Sequence, residues 1–437
     1  MTAASTGQDA LAHSPHLALR IALFTDSIGP GYNGLTIAVA QLRDELLSTG
    51  HDVILVAPRG QGKLGEESTT RFLLPALRLP GVHPAIATGY GFRGCLRRLA
   101  HARVDVVHVN SVGPIGLLGV FLAVRSKLPL VVTWHTDLLS YLRYYPLLRP
   151  LIPFWLWAVK SLCTSGRSRR VDRAGAPVGE AGSKPALNLL HGISYVLRAA
   201  DLITAPSDKV ACQLKRLTVD TPICIVPAGV DGAISRPAQR SINSDRALSF
   251  PRLLYVGRIA SEKGIELLLD AFALVREAIP GATLQLVGDA SRSGSLRRRL
   301  RRLRPDSAVT LAGEVDPCLL HTYYDNADVF VFPSTTDTQA LVLHEAAHSG
   351  LPIVTVDGQL PAVIAEGRNA LVSEASAMAL SRSILAMLVS CSEPEYLLDA
   401  GKTGKQLAMR YSRQRQVIEM VRLYRLVLAD ERNRRCM

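Results

Sequence analysis

The chain has 437 residues, 48% of them hydrophobic, which is enough to fill two cores at about 100–200 residues per domain. Fifty Lys and Arg against 37 Asp and Glu leave a formal charge of +13, which favours nucleotides, phosphates or an anionic membrane surface as partners. Aromatics are only 5% and nowhere interleave with cations along a strand, which argues against a nucleic-acid-binding sheet.

Taken in chain order, short aliphatic runs alternate with helical patterns, the signature of parallel α/β architecture. Strands are expected at residues 20–25, 53–57, 106–109, 130–134 and 202–205. In the second half they are expected at 252–256, 283–287, 309–312, 329–332 and 353–356. Each run is continuously apolar, as strands covered on both faces should be. Helices are expected at 35–49 and 264–278, and the Arg/Leu run 296–304 reads as a helix with a solvated basic face. The Arg- and Gly-rich segment 164–185 reads as a mobile insertion, and the polar segment 235–249 as an interdomain loop. The expected organisation is a first domain over 18–218, a second over 219–412, and a last helix, 413–437, returning to the first domain.

Seven scattered cysteines without a Cys-x-x-Cys pair read as a reduced, cytoplasmic chain. Residues 1–17 lack the basic start and apolar run of a signal peptide. No apolar stretch reaches the roughly 20 residues needed to span a bilayer.

Gly29, Gly31 and Gly34 form a Gly-x-Gly-x-x-Gly. Asp26, Ser27 and Ile28 separate it from the first strand, and the second strand ends without the acid that would hold a ribose. A dehydrogenase loop is therefore rejected. The glycines still allow close approach of backbone to a ligand at a helix start. Gly257-Arg258 and Glu262-Lys263-Gly264 follow the strand at 252–256. Parallel sheets bind ligands at that strand end, so two cations there can face one diphosphate.

The stretch from Val331 to Pro352 supports two chemistries. Asp337 and Glu345 are separated by seven residues. The first lies at a strand exit, as an N-cap, and the second inside an expected helix at 339–349. Two carboxylates there could each hold vicinal hydroxyls of a nucleotide sugar. The same stretch contains His344-Glu345-Ala346-Ala347-His348, the pattern of a zinc peptidase, with Glu366 available as a third ligand. In such peptidases the third ligand sits on another helix, whereas residues 353–356 read as a strand and 360–365 as a short element, so the zinc reading is the weaker of the two.

Several motifs together resemble one family, the family 4 retaining glycosyltransferases of GT-B fold, over nearly the whole chain. They are the opening strand, glycine loop and helix, and Trp134-His135-Thr136-Asp137 with Tyr141-Leu142-Arg143-Tyr144-Tyr145. Ile225-Val226-Pro227-Ala228-Gly229-Val230-Asp231, Gly257-Arg258…Lys263-Gly264 and Asp337…Glu345 follow in order. The resemblance implies two Rossmann-like parallel-sheet domains facing across a cleft. It also implies transfer of a hexose-type sugar, with retention, from a nucleoside diphosphate sugar to a hydroxyl of a lipid, glycan or small metabolite. By the same resemblance Arg258 and Lys263 hold the diphosphate, Glu345 the ribose and Asp337 the donor sugar. His135 reaches the donor from the first domain, Gly34 lets the loop approach the phosphates, and Asp137, Tyr141 and Tyr145 lie on the acceptor side. No metal or cofactor is implied.

Three departures stand out. Asp337 replaces the commoner Glu, Gln339-Ala340 replaces Phe-Gly, and Gly288-Asp289-Ala290 replaces a Gly-Asp-Gly turn. The second departure raises the alternative of a protein that binds a nucleotide sugar without turning it over. Finally, Phe154, Trp155 and Trp157 beside Arg149 and Lys160 suggest a peripheral contact with the cytoplasmic face of an anionic membrane.

Overall fold

A computed structural model describes residues 18–28, 34–59, 71–77, 86–135, 149–150, 152–164, 184–217, 220–230, 250–290, 296, 298–300, 308–360 and 362–436. The strands in the first half are β1 (Arg20–Phe24), β2 (Asp52–Pro58), β3 (Arg71–Leu74), β4 (Ala76–Leu77), β5 (Ile86–Ala87), β6 (Val106–Val109), β7 (Leu130–Thr133), β8 (Leu202–Ala205) and β9 (Ile223–Ile225). The second half contributes β10 (Arg252–Val256), β11 (Thr283–Val287), β12 (Val309–Gly313), β13 (Val329–Phe332), β14 (Ile353–Thr355) and β15 (Ala370–Val372).

Two parallel sheets result. The first has the order β3-β2-β1-β6-β7-β8-β9 and the second β12-β11-β10-β13-β14-β15. Both are Rossmann-like sheets whose strand order reverses at the first strand of the unit. In the second sheet β10 pairs with both β11 and β13, so the switch point lies at the end of β10. The chain therefore has the two-domain GT-B architecture.

Each sheet is covered on both faces, and side-chain alternation along the strands assigns residues to layers. In β1, Ala22 and Phe24 join the core beneath the helices Pro114–Ser126 and Lys184–Ala199. Ile21 and Leu23 face the opposite way, toward Val39, Leu42 and Leu46 of the helix Gly34–Ser48. That second layer also contains Val417, Met420, Leu423 and Tyr424, so the last helix, Arg413–Cys436, packs on the first sheet after the chain has completed the second. In the second sheet Leu253 and Tyr255 point to one core, and Leu254 and Val256 to another. A small apolar cluster of Ala38, Ala228, Val230 and Leu341 joins the two halves.

The ten expected strands are found with bounds that differ by one residue at most, while β3, β4, β5, β9 and β15 were not expected. The helix expected at 339–349 runs only from Leu341 to His348. Asp337 is not its cap, because Ala340 holds the N-cap position with φ 58° and makes no side-chain capping bond. The segment 165–183, most of the expected insertion, lies outside the described residues, as do Gly29 and Gly31. No helix among the described residues is long and apolar enough to cross a membrane.

Candidate functional site

The site forms where β10 and β13 end side by side. Gly257 and Arg258 leave β10, and a short 3-10 turn, Ser261–Lys263, brings Lys263 back toward the strand ends. Gly264 closes that turn at φ 70°, and a Cβ there would stand 2.2 Å from the Pro333 carbonyl oxygen. Only glycine allows this turn to lie against the loop leaving β13.

The close approach places Lys263 Nζ 2.6 Å from Asp337 Oδ1. The other Asp337 oxygen accepts a short hydrogen bond from Ser334 Oγ. Burial acts to raise the Asp337 pKa. The charge and hydrogen bond of Lys263, with Ser334 and Arg258, outweigh it and hold the carboxyl below its ordinary range. Arg258 Nη1 lies 3.1 Å from Glu262 Oε1, while its carbonyl accepts from the Tyr255 hydroxyl at 2.9 Å. Thr336 Oγ1 donates to the Glu262 carbonyl at 2.9 Å, which ties the two loops together again.

Glu345 lies one turn into the helix Leu341–His348. Its Oε2 accepts from the Tyr324 hydroxyl at 2.7 Å. Burial pushes its pKa up to about 7, against the opposing hydrogen bond from Tyr324. Close to neutral pH this carboxyl therefore exchanges between an acid and an acceptor-only carboxylate.

From the first domain, His135 follows β7. Its Nε2 is 3.3 Å from Asn110 Oδ1 at the end of β6, and burial lowers its pKa to about 4, so the ring is neutral at pH 7. Its carbonyl accepts from Thr338 Oγ1, the residue next to Asp337, at 2.8 Å. The structure thus brings Arg258, Lys263 and Asp337 into one cluster, with Glu345 on the helix that follows and His135 tied to the same loop. Gly34 begins the helix Gly34–Ser48, and among the described residues a Cβ there would meet no atom within 4 Å, so crowding by them does not explain its glycine. Asp137, Tyr141 and Tyr145 lie outside the described residues.

Residues 250–390 match the family described as Glycosyl transferases group 1, and residues 32–177 match Glycosyltransferase Family 4. An alpha-monoglucosyldiacylglycerol synthase of Streptococcus pneumoniae is 25% identical over 347 residues, 77% of this chain and 70% of its own length. This chain belongs to the family 4 glycosyltransferases. A D-inositol 3-phosphate glycosyltransferase of Pseudarthrobacter chlorophenolicus is 31% identical over 309 residues, 68% of this chain and 65% of its own. Among solved structures, HepE of Anabaena in complex with UDP and glucose superposes with a TM-score of 0.63 at 16% identity, over 93% of this chain and 99% of that one.

Nothing found for this glycosyltransferase supports the zinc peptidase reading. His344 is buried, with its ring edge-on to Tyr411 at 5.2 Å, and among the described residues no hydrogen-bond partner is found for its Nδ1. Among the described residues no group of three His, Cys, Asp or Glu could hold a metal ion. Both histidines lie on the helix Leu341–His348, His344 buried against Tyr411 and His348 half-buried.

Sequence reasoning did not find Tyr324, Ser334, Asn110 or Thr338. Ser334 and Thr338 flank Asp337 and could have been suspected from proximity. Tyr324 and Asn110 become neighbours of the site only through the sheet order. Gln339 also has an unforeseen part. Its amide accepts from Ala228 N and donates to Ala228 O, both at 2.8 Å, so the side chain docks like a strand partner on the segment joining the domains.

Proposed function

We propose that this glycosyltransferase takes a hexose-type sugar from a nucleoside diphosphate sugar and passes it to a hydroxyl with retained configuration, without a metal ion. The observation that carries the reading is the cluster of Arg258, Lys263 and Asp337 at the end of β10 and β13. A leaving diphosphate gains charge as the glycosidic bond breaks. Fixed cations beside it stabilise that charge, which is the part a divalent ion plays elsewhere.

The carboxylate geometry supports retention. Both Asp337 oxygens are occupied, by Lys263 and Ser334, and its lowered pKa makes it a poor base. Glu345 is bonded to Tyr324 inside the helix. Neither is set as a nucleophile or as a base for water. In the proposed step the acceptor oxygen attacks C1 from the side the diphosphate leaves. The acceptor proton passes to a leaving phosphate oxygen, and the C1–O bond electrons go with the diphosphate. Asp337 orients sugar hydroxyls, ionised Glu345 grips the ribose, and neutral His135 closes the site from the first domain.

The proposed acceptor is a lipid hydroxyl, reached from the cytoplasmic face of an anionic membrane. The net charge of +13 favours such a surface. On the helix Ile152–Thr164, Phe154 and Trp157 are 69% and 64% exposed and stack at 5.7 Å, beside exposed Lys160. Trp155 corrects the sequence reading. Its Nε1 donates to the Val112 carbonyl at 2.9 Å, so it is an anchor to the protein and not to lipid.

The test is incubation with UDP-, GDP- and ADP-sugars and diacylglycerol vesicles, with and without a chelator, followed by assignment of the product anomer. A product of the donor's anomeric configuration, formed equally under chelation, is the expected result. Failure of every nucleotide sugar to react, together with no binding of UDP or GDP, would overturn the reading.

A further inference from the structure

Several residues of the second domain's donor loop are bonded to the first domain, and they form a compact set. Lys209, in the helix Asp208–Lys215, donates to the Thr335 carbonyl at 2.7 Å and pairs with Asp357 beyond β14. Its side chain is 8% exposed and that of Asp357 5%. Ser207 Oγ accepts from Val210 N as the cap of that helix, and donates to the Thr338 carbonyl. Thr338 Oγ1 donates to the His135 carbonyl at 2.8 Å. Asp337 itself is bonded to Lys263 and Ser334 of its own domain.

We propose that Thr338 is a positioning residue that registers the two halves of the site. Its carbonyl and hydroxyl, held by Ser207 and His135, fix the first domain against the loop that carries Asp337, with the Lys209–Asp357 pair as the latch. This rests on the donor-site reading above and assigns that site its closing contacts.

The chemistry of the contacts suits reversible closure. An ion pair buried only when the domains meet loses hydration on both partners, so it adds geometric registry and little net attraction. The hydroxyl of Thr338 is directional, and a neutral histidine whose backbone is bonded to it cannot shift without breaking that bond. A displacement of about 1 Å between reacting groups can cost about a hundredfold in rate. Loss of this register should therefore fall on turnover and leave nucleotide affinity alone, because Arg258 and Lys263 belong wholly to the second domain.

The test compares Thr338→Val, which keeps the shape and removes the hydroxyl, with Thr338→Ser, which keeps the hydroxyl. UDP affinity is read by calorimetry, turnover as UDP release from UDP-glucose, and domain separation by small-angle scattering. Thr338→Val is expected to lower kcat by about tenfold or more, with UDP affinity within about twofold of the parent. Thr338→Ser is expected to recover most of that loss. Lys209→Met with Thr338→Val should enlarge the radius of gyration in the absence of nucleotide. Unchanged kcat in Thr338→Val, or equal loss in both Thr338 variants, overturns the proposal. So does an unchanged radius in the double variant, a readout that needs no substrate. If the parent binds neither UDP nor GDP and turns over no nucleotide sugar, the donor-site reading fails on its own, and scattering still decides the register.

Discussion

Arg258 and Lys263 reach the site with partners already in place, Glu262 for one and Asp337 for the other. In the proposed reading a donor diphosphate draws Lys263 toward itself while Asp337 turns to the sugar hydroxyls. Arg258→Ala and Lys263→Ala should each weaken UDP binding by about 1.5–3 kcal/mol, the range for a lost charge-assisted hydrogen bond. Calorimetry that finds both variants at parental affinity would remove the diphosphate assignment. Glu345 offers a second check at this scale. Its pKa is raised from the ordinary 4.5 to about 7, so the folded chain holds a proton there that the unfolded chain releases. This carboxyl's contribution to stability is present below about pH 4.5 and is lost as pH rises toward 7. If ionised Glu345 grips the ribose, affinity for UDP-glucose must rise as pH climbs toward 7 and then level off. The slope is at most about tenfold per pH unit for one coupled proton. A Glu345→Gln variant should show a flat profile, and a flat parental profile would sink the ionised role. Arg258, Lys263 and Asp337 could be singled out because each sits in a short motif at a strand end, and Glu345 by its seven-residue separation from Asp337. Their partners could not, since Tyr324 meets Glu345 across 21 residues and Ser334 chooses Asp337 through loop shape.

At the scale of elements, the apolar runs located ten strands to within a residue because strands buried on both faces tolerate little else, whereas the half-buried edge strands β3, β9 and β15 and the short pair β4 and β5 carry no such run and were missed. The helix carrying Glu345 was placed too early, since an Asp before a helical pattern reads as an N-cap. Here its carboxylate is turned to Lys263, and the turn is made instead by Ala340 at φ 58°. A side chain in that region costs about 1–2 kcal/mol. Ala340→Gly removes that strain and loses a buried methyl worth about 0.8 kcal/mol, so its stability should stay near the parent's. Ala346→Gly, in mid-helix and fully buried, should instead lose about 2 kcal/mol from propensity and methyl together. Urea midpoints that fall equally in both variants would show that the Ala340 backbone is unstrained. The helix Ile152–Thr164 divides its aromatics by face. Trp155 bonds Val112 and lies where a Cβ on Gly192 would meet its ring at 2.1 Å. Trp155→Ser should therefore destabilise by about 3–5 kcal/mol, in the range of large aromatic truncations. Phe154→Ser with Trp157→Ser should leave the melting temperature unchanged and abolish co-sedimentation with anionic vesicles. If that double variant still sediments with the vesicles, the exposed pair is not the lipid contact.

Over the whole molecule, two repeated sheets could be read from alternating strand and helix patterns, and a last helix returning to the first domain was expected without a residue pattern that requires it. The contacts between domains could not be read in the same way. Ser207, Lys209 and Ala228 have no local pattern that points to residues more than a hundred positions away. The returning helix, Arg413–Cys436, makes the first domain depend on the end of the chain. Val417, Met420, Val421, Leu423, Tyr424 and Val427 fill one face of the first sheet together with Ile21, Leu23, Val53 and Val106. Tyr424 reaches farther than packing, since its hydroxyl lies 2.7 Å from His108 Nδ1, and His108 Nε2 lies 2.6 Å from Thr133 Oγ1. All of these groups are buried, and burial, with the charge of His135 adding to it, pushes the His108 pKa down to about 3. Tyr424→Phe leaves His108 Nδ1 buried without that partner and should cost about 1–3 kcal/mol, with the unfolding transition still single. Truncation after Ser412 strips the last helix from a face of apolar strands that the helix Gly34–Ser48 covers only in part, which a parallel sheet cannot leave to water. The truncated chain should lose the first domain's cooperative transition while the second domain, whose two cores contain no residue of that helix, still binds UDP. Calorimetric melting and UDP titration of the truncated chain measure both halves of the claim. A truncated chain that melts as the full one does would show that the first domain folds without its distant helix.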